Sequence, residues 1–258
     1  MSLRIVEWPA FLDDPAREKS AMTIGGFDGL HLGHRELIRR IVQRGPNPTV
    51  VTFRENPKKV VSPGSYEGDI FSFKQKLAAF ERLGVSRVVL IDFSEKFSKI
   101  SGKEFLDLLE DRGKMDFLAI GSNFRCGYQQ DTDAGFVREM NERKGIPTEV
   151  VPPVEDEAGP VSSSRIRSAI ILGDLALAAA LMGRNVELDL SDLRSVDTGN
   201  DSFVYDLRSV QRLIPAAGRY PVVMYPGAVK GWADAENGKL ILSGARIIGK
   251  VENLEFIV

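Results

Sequence analysis

The chain has 258 residues, 43% of them hydrophobic, enough for one large domain or two smaller ones around a sizeable core. Its 34 Lys and Arg nearly balance 36 Asp and Glu, for a net charge of −2; that balance argues against non-specific binding to nucleic acid or membranes, which favours a strongly basic surface, and leaves room for a local basic pocket. The one cysteine, Cys126, excludes an internal disulfide and a cysteine-cluster zinc site, and it fits a reducing compartment.

At the start, Met1-Ser2-Leu3-Arg4-Ile5-Val6-Glu7 carries an acid where a signal peptide needs its apolar run. The most apolar region, Ala169 to Met182, is broken by Gly173-Asp174 and is too short to span a bilayer. A cytoplasmic protein with no obligate protein partner is expected. Short β-branched runs then alternate with helical patterns. Strands are predicted at Met22–Gly25, Thr49–Phe53, Arg87–Ile91, Phe117–Ile120 and Thr148–Val151. Helices are predicted at His34–Gln43, Ser72–Leu83, Lys103–Asp111, Ala134–Lys144, Ser164–Leu172 and Leu175–Met182. Ser101-Gly102-Lys103-Glu104 reads as a capping box, and Asp174 as the cap of the last helix. Alternation of this kind implies an α/β fold with a parallel sheet, whose ligands bind beyond the carboxyl ends of the strands at a topological switch point. The turn after Ile24 is a candidate for that place.

Past Gly183 the helical period disappears. Phe203–Tyr205, Tyr220–Tyr225, Lys239–Leu242 and Arg246–Val251 read as short strands, and Asn237-Gly238 is a hairpin signal. A small antiparallel β domain of barrel or sandwich type over 185–258 is expected to follow a first domain over 1–184.

Four segments carry candidate chemistry. Both histidines of the chain lie in His31-Leu32-Gly33-His34. They follow Gly25-Gly26-Phe27-Asp28-Gly29, a turn that side chains would not easily make, and they open a helix. Free N–H groups and the helix dipole draw anions to such a place, and residues three apart lie near one face, so a phosphate site is expected. Gly33 would let a phosphate approach the backbone. A metal is the other ligand that two histidines suit, but no third ligand is evident in the sequence. The run is neither a Walker loop nor a GxGxxG fingerprint. The second segment, Ser162-Ser163-Ser164-Arg165-Ile166-Arg167, offers hydroxyls for a helix cap or phosphate oxygens and two guanidinium forks. Two apart on a helix, Arg165 and Arg167 point in different directions, so one can bind ligand while the other is structural. The third is the loop Gly121-Ser122-Asn123-Phe124-Arg125-Cys126-Gly127, and the fourth is Phe53-Arg54-Glu55-Asn56-Pro57. Both follow predicted strands.

Taken in order, these segments resemble the motifs of the bacterial FAD synthetase family, which joins a riboflavin kinase to an FMN adenylyltransferase. The likeness covers roughly residues 1–184. Ile24 to His34 resembles its HxGH signature, and Ser162–Arg167 its Ser-Ser-Thr-x-Ile-Arg motif. Gly121–Gly127 is similar to its Gly-x-(Asp/Asn)-Phe-x-Phe-Gly loop, and Val51-Thr52-Phe53 with Asn56-Pro57 to its segment ending in Pro-His-Pro. The resemblance implies a Rossmann-like nucleotidylyltransferase domain that uses ATP and Mg²⁺ and transfers AMP to FMN, giving FAD and pyrophosphate. It implies that His31, His34 and Arg167 are catalytic. Gly25, Gly26, Phe27, Asp28, Gly29, Gly33, Ser162, Ser163, Ser164 and Arg165 would bind the nucleotide. Asn56, Pro57, Asn123, Phe124, Arg125 and Gly127 would serve the flavin. No protein metal ligand is implied.

Gly26 stands where that family usually has Asn, Asn56 where it has His and Cys126 where it has an aromatic residue, while Thr132 lies near a usual Gly. Leu213–Tyr220 is similar to a segment of the kinase barrel, but the Gly-Phe-Pro-Thr-Ala-Asn segment is missing. Its expected region, Asn185 to Asp201, reads Leu188-Asp189-Leu190-Ser191-Asp192-Leu193 instead. The β domain is therefore expected to be a degenerate kinase-like barrel unable to phosphorylate riboflavin. Two other functions fit the same residues: a nucleotidylyltransferase for another phosphorylated small molecule, and a flavin- or nucleotide-binding protein of weak activity.

Overall fold

The computed structural model describes residues 2–45, 47–199, 202–208, 210–244 and 250–258. The chain forms two compact units that interleave in sequence. The first comprises Met1–Phe27, Gly33–Ser65 and Leu77–Pro160; the second comprises Asp28–Leu32, Tyr66–Lys76 and Val161–Val258.

The first unit is built on a six-stranded, wholly parallel sheet. Its order across the sheet is Arg4–Glu7, Arg87–Ile91, Thr49–Phe53, Ser20–Ile24, Met115–Gly121, Thr148–Val151. Valine-rich strands such as Thr-Val-Val-Thr-Phe suit a sheet covered on both faces. Val50, Val51, Val88, Val89, Leu90, Ile91, Leu118, Ala119 and Ile120 are all buried. Three predicted strands have the predicted bounds, and the other two begin two residues earlier than predicted. The edge strand Arg4–Glu7 was not predicted, because four residues with a charge at each end show no period of their own.

The six predicted helices match to within two residues, while the short helices Trp8–Asp13 and Lys58–Val61 were not predicted. Ser101 caps Gly102–Gly113 by accepting from the Glu104 N–H at 3.2 Å. Asp174 caps Leu175–Met182 by accepting from the Leu177 N–H at 3.0 Å.

The second unit carries the helices Ser163–Ile171 and Leu175–Met182 and a seven-stranded antiparallel sheet. The sheet runs Glu187–Asp189, Asn253–Phe256, Gly218–Tyr225, Val229–Glu236, Lys239–Ser243, Ser202–Asp206, Ser195–Gly199. Asn237 and Gly238 take φ of 50° and 74° between Val229–Glu236 and Lys239–Ser243, the two-residue turn that their side chains favour. Most of the predicted strand Arg246–Val251 lies outside the described residues. Val229–Glu236 was not predicted, since its Gly-Trp-Ala-Asp-Ala-Glu run is poor in β-branched residues.

Candidate active site

In the first unit the chain leaves Ser20–Ile24 toward Thr49–Phe53 on one side, and Met115–Gly121 lies on the other. That is the switch point of the sheet, and the glycine turn and the loop after Gly121 both emerge beside it. The Gly25 N–H donates to the Val51 carbonyl at 3.1 Å, and the Thr52 hydroxyl to the Gly26 carbonyl at 3.3 Å. One expectation needs correcting: the turn does not require glycine throughout. A Cβ on Gly26 would meet nothing within 4 Å, so the family's usual Asn would fit there. Gly29 does need to be glycine, with φ of 72° and a notional Cβ 2.9 Å from Ile70. The turn gains its curvature elsewhere from Phe27 and Leu30, at φ of 51° and 42°. Phe27 holds that conformation because its ring is fully buried, edge-on to Phe80 at 5.6 Å and to His34 at 5.1 Å. His34 lies in the first turn of the helix Leu32–Arg44, half-buried.

In the second unit Asp28, Gly29 and Leu30 form a tight turn ending at His31. The Asp28 carboxylate accepts N–H bonds from Ile70 at 3.1 Å and Phe71 at 3.1 Å, and it is ion-paired with Arg167. The Ser163 hydroxyl donates to the Asp28 carbonyl at 3.0 Å, and Arg167 Nε to the Gly68 carbonyl at 3.0 Å. Ser162 caps the helix Ser163–Ile171 by accepting from the Arg165 N–H. Ser164 is exposed and Arg165 half-buried, whereas Arg167 is only 5% exposed. Two motifs 139 residues apart thus meet at Asp28. Burial raises the Asp28 carboxyl above its ordinary value, with Arg167 pulling the other way.

His31 is 8% exposed, and burial pushes its pKa down to about 4. The imidazole is therefore neutral in the folded chain at pH 7, while the unfolded chain protonates near pH ~6.5. A depressed histidine pKa makes the unfolded state bind the extra proton first, so stability is complete above pH ~6.5 and falls toward pH ~4. The expected loss between pH 7 and pH 5 is about 2 kcal/mol. Urea unfolding of the wild type and of His31→Gln at both pH values measures it; an equal loss in the variant assigns the effect elsewhere.

The first unit also holds an open pocket of about 520 Å³, largely apolar. Such a volume suits a small-molecule ligand. Phe53, Phe93, Phe97, Ile100 and Phe105 form its apolar wall, and Pro57, Lys58, Arg125, Gly127, Gln129 and Gln130 also line it. The three rings of Phe53, Phe93 and Phe97 meet edge-on at 5.8–6.2 Å. Of the sequence-predicted flavin residues, Pro57, Arg125 and Gly127 line this pocket. Asn56, Asn123 and Phe124 do not: Asn56 accepts from the Lys58 N–H at 3.1 Å, Asn123 is exposed and Phe124 packs on the core. Phe93 and Phe97 were missed by sequence reading, although two aromatics four apart after a strand are the kind of signal that marks such a wall. Cys126 lines the pocket as well. Burial and the nearby Asp131 push its thiol up to about 12, so it is a wall and not a nucleophile at neutral pH.

Among the described residues no three His, Cys, Asp or Glu side chains converge to hold a metal, and Asp28 is committed to Arg167 and two backbone N–H groups. No helix among the described residues is long and apolar enough to cross a membrane.

Residues 13–165 match the family model described as FAD synthetase. Among curated relatives, a bifunctional riboflavin kinase/FMN adenylyltransferase of Pseudomonas fluorescens is 30% identical over 175 residues, covering 66% of this chain and 56% of that protein. The Bacillus subtilis protein of the same description is 29% identical over 182 residues, 68% of this chain and 57% of its own length. The chain therefore spans about half the length of the curated relatives it matches. Among solved structures, one from Streptococcus pneumoniae, described as a macrolide-efflux protein, superposes with a TM-score of 0.79. It is 23% identical, covers 99% of this chain and 89% of its own, and shares the fold.

Proposed function

Because the chain belongs to the FAD synthetase family, we propose that it is an FMN adenylyltransferase, moving AMP from ATP to FMN with release of pyrophosphate. The observation that carries this reading is the turn Asp28–His31, gripped at Asp28 by Ser163 and Arg167, which ties the segment ending at His31 to the serine–arginine motif within one unit. A phosphate oxygen of FMN attacks the α-phosphorus of ATP in line. The new P–O bond forms as the bond to the bridging oxygen of the pyrophosphate breaks. No protein nucleophile is required; the chain positions oxygens and offsets their charge.

His31 and His34 donate N–H groups to the phosphates, helped by the free N–H groups at the start of Leu32–Arg44. A bound polyphosphate draws the neutral His31 toward its charged, doubly donating form. The exposed Ser164 and the half-buried Arg165 hold the phosphate tail. Gly25, Gly26 and Gly33 leave the backbone approachable. The phenylalanine-walled pocket takes the flat flavin ring, and Lys58 and Arg125 supply cations for its phosphate. Arg167 serves the reaction through Asp28 instead of through the substrate. We assign the reaction to residues 1–184 and no kinase reaction to 185–258, whose sequence lacks the kinase's nucleotide-binding segment.

Purified protein with ATP, Mg²⁺ and FMN is expected to give FAD and pyrophosphate by chromatography, and with riboflavin in place of FMN to give neither FMN nor FAD. FMN made from riboflavin refutes the missing kinase. No FAD, but turnover with a different phosphorylated acceptor, supports the second reading, which the departures at Asn56 and Cys126 in the flavin segments favour.

A further inference from the structure

The second unit contains a chain of contacts that runs from its β-sheet to the turn before His31. Arg212 donates to the Asp189 carbonyl at 2.7 Å and pairs through both terminal nitrogens with Asp192 at 2.6 Å. The Ser72 hydroxyl donates to the Asp189 carboxylate at 2.6 Å. Asp69 is zipped to the segment 211–213 through its backbone: its N–H donates to the Gln211 carbonyl at 2.7 Å, and its carbonyl accepts from the Leu213 N–H at 3.1 Å. The next two N–H groups of the same loop, of Ile70 and Phe71, both end on the Asp28 carboxylate. Arg184 closes the far side. It donates to the Gly29 carbonyl at 2.8 Å, and its guanidinium lies 4.3 Å from the centre of the Phe71 ring.

The Asp28 carboxylate and the carbonyls of Asp28 and Gly29 are thus all spent within this unit. Asp28 is 9% exposed and its carboxylate is occupied by two amides and a guanidinium, so it is not placed to meet a ligand. Ile70 leaves no room for a side chain at Gly29, where even a Cβ would stand 2.9 Å from it. A buried polar network with all members satisfied fixes one conformation, and a partly satisfied one is costly.

We propose that the loop Gly68–Ser72 is a strut by which the β-sheet sets the position of His31, with Asp28 and Arg167 as its positioning residues. The β part, lacking the kinase segment, then has a role in adenylyl transfer: it holds a phosphate-binding imidazole in register. This rests on the adenylyltransferase reading for the role of His31, but the strut itself has a test that does not.

The chain has only two histidines, so histidine-labelled protein gives two ring Cε1–H signals in an NMR spectrum. Asp28→Asn in the full chain keeps the size of the side chain and removes its charge. The His31 signal is expected to shift or broaden, while amide signals of the strands Gly218–Tyr225 and Val229–Glu236 stay in place. With ATP and FMN, kcat is expected to fall about 100-fold, the scale of a displacement of ~1 Å, with both KM values within threefold. Arg167→Lys, which keeps the charge but loses the fork, is expected to shift the same signal less and to retain about ten times more turnover than Asp28→Asn. It also supplies the test should Asp28→Asn not fold.

An unmoved His31 signal in the folded variants overturns the strut, as does a moved signal with unchanged kcat. An unmoved signal with a raised KM for ATP in Arg167→Lys makes Arg167 a direct phosphate ligand and likewise overturns it. Wild-type protein that makes no FAD refutes the adenylyltransferase reading alone, and the His31 signal in Asp28→Asn then decides the strut by itself.

Discussion

On the proposed reading, His34→Ala is expected to lower kcat for FAD formation by about 100- to 1,000-fold, the usual scale for removing one donor to a developing negative charge. The fold survives, because the imidazole is half-buried on the outside of a well-packed group, Phe27 against Phe80. His31→Ala gives a comparable loss of turnover with a larger loss of stability, since that ring is buried. Steady-state kinetics with chromatographic detection of FAD, together with circular dichroism, measure both effects. Wild-type rates in both variants would remove the histidines from the mechanism.

Arg167→Met has the largest expected effect on stability. It leaves the Asp28 carboxylate buried without its cation, and breaking a buried pair from one side costs roughly 3–5 kcal/mol. The variant can recover part of this by protonating Asp28, whose pKa is already raised by burial. In the variant the folded state holds that proton more tightly than the unfolded state does, so its deficit relative to wild type shrinks as pH falls. Measuring both proteins in the His31→Gln background removes the acid loss due to His31 from the comparison. Denaturant unfolding at pH 7 and pH 5 reads the deficit at each. A loss under about 1 kcal/mol at pH 7, the range of exposed pairs, would mean that the pair is not buried as described.

The parallel sheet was legible because its strands are self-announcing. Thr49–Phe53 and Arg87–Ile91 are dense in β-branched and apolar residues, and each is followed by a turn or loop. The caps at Ser101 and Asp174 were legible for the same reason, each acting on a backbone N–H three residues on. The β region was harder to read. Its sheet joins Glu187–Asp189 to Asn253–Phe256 across most of the unit, and three-residue strands have no period to detect.

The sequence led to a proposed phosphate site at the two histidines, but not to the work of the individual residues around them. Gly26 and Gly29 look alike in the sequence; the fold makes glycine necessary only at the second, through its φ of 72° and the packing of Ile70 against it. Asp28 stood among the nucleotide residues that the family resemblance implied, but its carboxylate faces Arg167 and the amides of residues 70 and 71. Asn56 and Asn123 stand at matching positions of flavin motifs, while the pocket beside them is walled by Phe93 and Phe97.

By itself the sequence determined the α/β class, the bounds of most parallel strands and the hairpin at Asn237-Gly238. All of these follow from preferences acting over a few residues of backbone. The tertiary structure alone decided that Asp28 and Arg167 face each other, that the loop Gly68–Ser72 ties them to the sheet, and that aromatic rings close a pocket. Those pairings span up to 139 residues, and which polar groups end up buried together depends on packing that no local window contains.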